Sequence, residues 1–125
     1  MTLYVLTALG GAIGATLRYG IGRWAQDSIG QAGFPYGTLL INVSGCMVFG
    51  FIMGLLDKGY AITPEQRTFM LVGILGGYTT FSTFGFETFA FVRDGQILPA
   101  LLNVGLQVVV GVLGVWLGTL AARMT

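Results

Sequence analysis

The 125-residue chain contains no histidine, and Cys46 is its only cysteine. An internal disulfide is therefore impossible, and a cysteine- or histidine-rich metal site is excluded. Cys46 sits in an apolar stretch and reads as inert packing. Charge is equally scarce. Asp, Glu, Lys and Arg make up 9% of the chain, and the formal net charge is +1. An ordinary soluble domain carries roughly 25% charged residues. There is no basic run, which argues against nucleic acid as a partner. There is no Gly-xxxx-Gly-Lys phosphate loop, and neither a nucleophile–base pair nor a metal-ligand cluster is visible, so the chain does not read as an enzyme.

Apolar residues are plentiful. The chain is 54% hydrophobic, with a mean hydropathy of +0.81. Too few polar side chains remain to cover a water-soluble globule of this size. Lipid is the solvent that suits such a surface. A helix rising about 1.5 Å per residue needs roughly 20 residues to cross about 30 Å of hydrocarbon. Four segments meet that length, at residues 3–22, 36–56, 67–92 and 98–121. The first starts apolar, has no basic leader and reads as a retained membrane helix rather than a signal peptide. The connections carry turn and cap residues: Gly30, Gly33 and Pro35 between Asp27 and Pro35; Asp57 to Pro64, where Thr63-Pro64-Glu65 can cap the third helix; and Arg93-Asp94-Gly95. The expected architecture is one all-α membrane domain, residues 1–125, with four transmembrane helices.

Glycine is frequent, at 21 residues. Gly10 and Gly14, Gly50 and Gly54, Gly73 and Gly77, and Gly114 and Gly118 each stand four apart, one pair on each helix. Small residues at that spacing let helix backbones approach closely in lipid. Cations are balanced across the membrane. Lys58, Arg67 and Arg123 fall on one side, Arg23 and Arg93 on the other, with Arg18 just inside the membrane. Orientation normally follows an excess of cations on the cytoplasmic side. Without it, both orientations are expected, and two opposite copies can pair as an antiparallel dimer.

The third segment holds the most informative stretch, Gly76-Gly77-Tyr78-Thr79-Thr80-Phe81-Ser82-Thr83-Phe84. Each glycine costs a helix about 1 kcal/mol relative to Ala, so a break is expected at the glycine pair. Interrupted membrane helices mark ion sites, because freed backbone groups need partners. The carbonyl end of the first half suits a hard cation, and the N–H end of the second suits an anion. Phe81 and Phe84 project to one side, with Glu87 flanking them and Thr88 between them. A phenyl ring is positive at its edge. Two ring edges can touch an anion without trapping it, although two phenylalanines at this spacing equally suit lipid contact or packing. Asn42, with Thr38 on its face, and the pair Asn103 and Gln107 place amides in apolar spans. Such groups need partners or water, and helix–helix hydrogen bonds are the plain alternative to a donor-lined path.

These residues resemble the Fluc/CrcB fluoride channels. The matching segments are Gly10-Gly11 with Gly14; Arg18-Tyr19; Gly37-Thr38 with Asn42 and Gly45; and Gly76 to Phe84. The resemblance covers nearly the whole chain. It implies an antiparallel, dual-topology homodimer in the cell (inner) membrane, with two pores and a structural sodium ion at the dimer centre. Backbone carbonyls of Gly76 and Thr79 from each subunit would hold the sodium. Phe81, Phe84 and Asn42 would line the fluoride path, with Ser82 and Thr83 from the broken segment. Glu87 would belong to a polar track, and Arg18 would stand at the pore entrance. The departures fall in that track. Gly85 and Gly111 stand where relatives often carry Ser, and Asn103 and Gln107 occupy variable positions. A small proton-coupled multidrug exporter is the competing reading. It needs a carboxylate in the first helix, and residues 3–22 hold none.

Overall fold

A computed structural model describes residues 1–30 and 33–125. The middle of the first expected connection, residues 31 and 32, lies outside the described residues. The described chain is all helical. Helix α1 spans Thr2–Ile29, α2 spans Tyr36–Asp57, and α6 spans Ile97–Arg123. The third membrane segment is composite. It comprises α3 (Pro64–Arg67), a π-helical stretch (Thr68–Leu75), α4 (Gly76–Tyr78) and, after a gap, α5 (Phe81–Arg93).

Apolar composition explains the long helices. Residues Tyr36–Asp57, Pro64–Arg93 and Ile97–Arg123 are each long and apolar enough to cross a membrane. Helix α1 has the length, at 28 residues, but not the apolarity. Its glycines, Arg18 and Arg23 dilute it. The outer face of α6 presents Leu101, Val108, Val112 and Trp116, all more than half exposed. An apolar exterior of this kind is stable in lipid and not in water. The chain is a multi-pass membrane protein.

The third segment starts where its cap residues predict. Thr63 Oγ1 accepts from the Gln66 N–H at 3.2 Å, while the Thr63 N–H donates to Gln66 Oε1 at 2.9 Å. This reciprocal pair satisfies two donors that a helix start leaves free. Pro64 follows at the first helical position.

The glycine pairs sort the helices into two partnerships. Gly10 and Gly14 of α1 lie against Gly73, Ile74 and Tyr78 of the third segment. Gly77 meets Gly11 of α1, where an added Cβ would come within 2.7 Å of the Gly11 carbonyl oxygen. Gly50 and Gly54 of α2 face Val115, Thr119 and Ala122 of α6, and Gly118 of α6 faces Met47 and Phe51 of α2. Backbone therefore packs directly on backbone along both seams, as small residues allow in a bundle that has no aqueous drive to close. Thr119 reinforces the second seam by donating to the Gly50 carbonyl at 3.1 Å.

One expectation is corrected. The break does not lie at Gly76-Gly77, which remain helical in α4. It lies two residues on, where Thr79 (φ −79°, ψ 158°) and Thr80 (φ −148°, ψ 117°) are extended. The physical reason is twofold. Gly77 serves close packing on α1, and packing holds α4 in helical form despite its poor propensity. Thr79 and Thr80 are β-branched, so extended backbone suits them, and the Thr80 hydroxyl caps the helix that follows. A π-helical turn precedes the break, a winding often found at functional positions in membrane and soluble helices alike.

Candidate functional site: the break in the third membrane segment

The break frees backbone groups that must be satisfied inside the bundle. Asn42 of α2 satisfies two of them. Its Oδ1 accepts from the Thr80 N–H at 2.9 Å, and its Nδ2 donates to the Thr80 carbonyl at 3.0 Å. The side-chain amide thus pairs with Thr80 as a neighbouring strand would. Gly45, three residues along α2, makes the approach possible, because a side chain there would run into the Thr79 methyl. Ser44 and Tyr78 share a hydroxyl–hydroxyl bond of 2.8 Å beside it.

Thr80 also begins the second half. Its Oγ1 accepts from the Thr83 N–H at 3.3 Å and donates to Thr83 Oγ1 at 2.9 Å. Ser82 Oγ lies 3.5 Å from the same oxygen. This is an N-cap of the usual kind. The first half ends on the Thr79 N–H, which donates to the Leu75 carbonyl at 3.0 Å.

Two carbonyls at the break are placed differently. In a continuous helix the Gly76 carbonyl would receive the Thr80 N–H, but that donor goes to Asn42. Gly76 is also exposed. The Thr79 carbonyl accepts from Arg18 Nη1 at 3.3 Å. Gly14, one turn before Arg18, packs on Ile74 and Tyr78 and so brings α1 close enough for that reach.

Two clefts meet at this point, and Thr80 lines both. The first, about 980 Å³, includes Arg18, Thr38, Thr83 and Glu87 in its wall. The second, about 520 Å³, includes Asn42, Gly76, Thr79, Phe81, Phe84 and Gln107. Most of the expected site residues are therefore divided into two groups by the break, while Ser82 and Asn103 line neither cleft. Phe81 and Phe84 pair edge-on in the second cleft, with ring centroids 5.5 Å apart and planes at 64°. Phe84 is half-buried, whereas Phe81 is 82% exposed.

Polar side chains continue from the break into the bundle. Thr38 Oγ1 donates to Glu87 Oε1 at 2.6 Å. Asn42 Nδ2 also donates to Gln107 Oε1 at 3.0 Å. Asn103 is fully buried, lines neither cleft, and donates through Nδ2 to Thr88 Oγ1 at 2.9 Å. The Thr88 hydroxyl in turn donates to the Phe84 carbonyl at 2.9 Å, so it joins α6 to the backbone of its own helix. Glu87 Oε2, Asn103 Oδ1 and Gln107 Nε2 are buried with no partner among the described residues. A buried polar atom without a partner is costly, so each is a place for water or a solute.

Thr80 is absent from the expected site, although Asn42, Ser82 and Thr83 all bond to it. Its signal is the hydroxyl three residues before Thr83, at the start of an apolar run. Gln26 was likewise missed. Its Oε1 accepts from the Gly37 N–H at 3.1 Å and its Nε2 donates to the Phe34 carbonyl at 3.1 Å, which fixes the start of α2 at the rim of the first cleft.

The architecture has close counterparts in sequence. The profile of the family described as CrcB-like protein, Camphor Resistance (CrcB), matches residues 5–119. A protein of Acidobacterium capsulatum named fluoride-specific ion channel FluC is 44% identical over 115 residues, covering 92% of this chain and 91% of its own. A Thermus thermophilus protein of the same name is 45% identical over 115 residues, covering 92% and 89%. A third, from Solibacter usitatus, is 46% identical over 120 residues, covering 96% and 98%. None of these names describes a multidrug exporter or an enzyme. With the family profile spanning nearly all of its length and relatives this similar end to end, the chain belongs to the CrcB family of fluoride ion channels.

Proposed function

We propose that this chain is one subunit of a fluoride-selective channel in the cell (inner) membrane, lowering cytoplasmic fluoride by passive efflux. The relatives' name supplies the ion, and the break at Thr79–Thr80 carries the reading. Fluoride is small and strongly hydrated. Removing its water requires close replacement donors, while exit requires each site to be weak. Around the break stand neutral amides, hydroxyls and two ring edges, with Glu87 in the wall of the first cleft and Arg18 reaching from it to the Thr79 carbonyl. On this reading fluoride passes from the Arg18 cleft, past Thr38, Thr83 and Ser82, to the phenyl pair, with Asn42 and Gln107 as amide donors and Glu87 and Asn103 in the accompanying polar track. A larger halide meets the same donors at the wrong spacing. External acid carries HF across the lipid, it ionises inside, and the inside-negative potential drives fluoride out. No energy-coupling machinery is needed.

The assembly is an antiparallel homodimer of dual topology. Phe81, exposed on one subunit, gains cover from the second. A structural sodium ion fits the donor chemistry at the centre. Hard cations take oxygen ligands, and the Gly76 carbonyl has lost its helical donor to Asn42. The two carbonyls of one subunit form half a site, and a second copy supplies the other half. The Arg18 guanidinium on the Thr79 carbonyl leaves that oxygen's second lone pair for the ion.

Liposomes containing only the purified protein are expected to release fluoride rapidly and to retain chloride. Equal release of both ions, or neither, would remove the fluoride reading. Drug-dependent proton flux in the same vesicles would instead favour the exporter. The dimer has its own check. A tag on the C-terminus should be accessible from both faces of the membrane, and accessibility from one face alone counts against dual topology.

A further inference from the structure

We propose that Gln107 is a positioning residue that holds the Asn42 amide in the single orientation able to bridge the break; its effect on fluoride passage rests on the channel reading above. The Thr80 N–H can only donate. The Asn42 atom facing it at 2.9 Å is therefore Oδ1. The other end of the amide is then the NH2 group, facing the Thr80 carbonyl at 3.0 Å. That group has two hydrogens. One serves Thr80, and the other reaches Gln107 Oε1 at 3.0 Å. The Gln107 amide is in turn fixed, because its NH2 end would oppose a donor with a donor. Its Nε2 accordingly points away and stays unpartnered among the described residues.

The hydrogen bonds thus tie α6 through Asn42 of α2 to the backbone of the broken segment, with Gln107 accepting the Asn42 hydrogen that Thr80 leaves free. Without an acceptor at position 107, one Asn42 hydrogen is left unpaired in the membrane interior. The amide then gains from turning toward other acceptors, and the bridge to Thr80 loosens. The glycine stripe of α6 sets the reach. Gly111 and Gly114 lie against Cys46 and Val43 of α2, which seats Gln107 one turn away beside Asn42.

Residue-resolved amide exchange on the full-length protein in vesicles tests this without depending on transport. In Gln107→Met, which keeps the length and removes the acceptor, Thr80 N–H exchange should quicken about tenfold, the scale of one net hydrogen bond. In Gln107→Glu, whose oxygen still accepts from Asn42, Thr80 protection should persist. Unchanged Thr80 exchange in Gln107→Met, or equal loss of protection in both variants, overturns the proposal. A measurement on the unaltered protein covers the case in which the Met variant does not assemble. Both Asn42 Nδ2 hydrogens should be protected, and one rapidly exchanging hydrogen overturns the assignment. Should wild-type vesicles pass no fluoride, the channel reading fails while the exchange pattern still decides the role of Gln107.

Discussion

Phe81→Ile is expected to cut fluoride efflux roughly thirtyfold or more, and Phe84→Ile to do the same, with the proposed dimer still assembled. Isoleucine preserves apolar bulk but has no ring, so it removes the positive edge and little else. A charge held against a desolvated ring is worth about 2 kcal/mol in the cation case. An edge contact of similar size, lost from the proposed path, raises the barrier enough for a roughly thirtyfold slowing. The two rings are one unit, with centroids 5.5 Å apart at 64°, so the double variant should be scarcely slower than either single one. Efflux from liposomes, with elution volume as the check on assembly, decides the matter. Undiminished flux would assign the pair to packing and leave the amides as the path.

How much of this was legible in the sequence varies with the range of the interaction. The long helices follow from apolar runs, and their observed ends differ from the expected ones by a few residues, most at α1, which continues to Ile29. The capped start of the third segment follows from Thr63 and Pro64 alone. The glycine pairs announce close packing, but not which helices meet. Spacing says nothing about partners, and the seams α1 with the third segment and α2 with α6 appear only in three dimensions. The break was expected two residues early, because propensity penalises Gly76 and Gly77 while packing of Gly77 against Gly11 favours helix there. Thr80 illustrates the limit most clearly. Its partner Asn42 is 38 residues away, and no local pattern reports such a pairing.

The separation of the site into two clefts has an electrostatic consequence. Arg18, Arg23, Glu87 and Asp94 stand at the first cleft, and among the described residues the second has no charged side chain in its wall. A full charge in a low-dielectric wall binds an ion too tightly to release it. On the proposed path, fluoride meets charge where water is still available and only neutral dipoles where it is not. The narrow stretch is thus built from groups that attract weakly and in number.

Asn42→Ala is the second severe case, expected to lower efflux at least tenfold. The substitution removes three hydrogen bonds at once, two to Thr80 and one to Gln107. It leaves the Thr80 N–H and carbonyl without partners inside the bundle, each at a cost of about 1–3 kcal/mol. The extended geometry of Thr79–Thr80 then loses its support, and Thr80 N–H is free to return to the Gly76 carbonyl. That relaxation would straighten the third segment and bury the donors on which the path depends. Asn42→Asp should not rescue it. The carboxylate restores an acceptor for the Thr80 N–H but sets a second acceptor against the Thr80 carbonyl. Asn42→Gln keeps both donor and acceptor on a longer arm and should fall between the two. The measurement is liposome efflux for the three variants alongside wild type. Wild-type rates for Asn42→Ala would show that the break holds itself open without the amide, and would take Asn42 out of the conducting machinery.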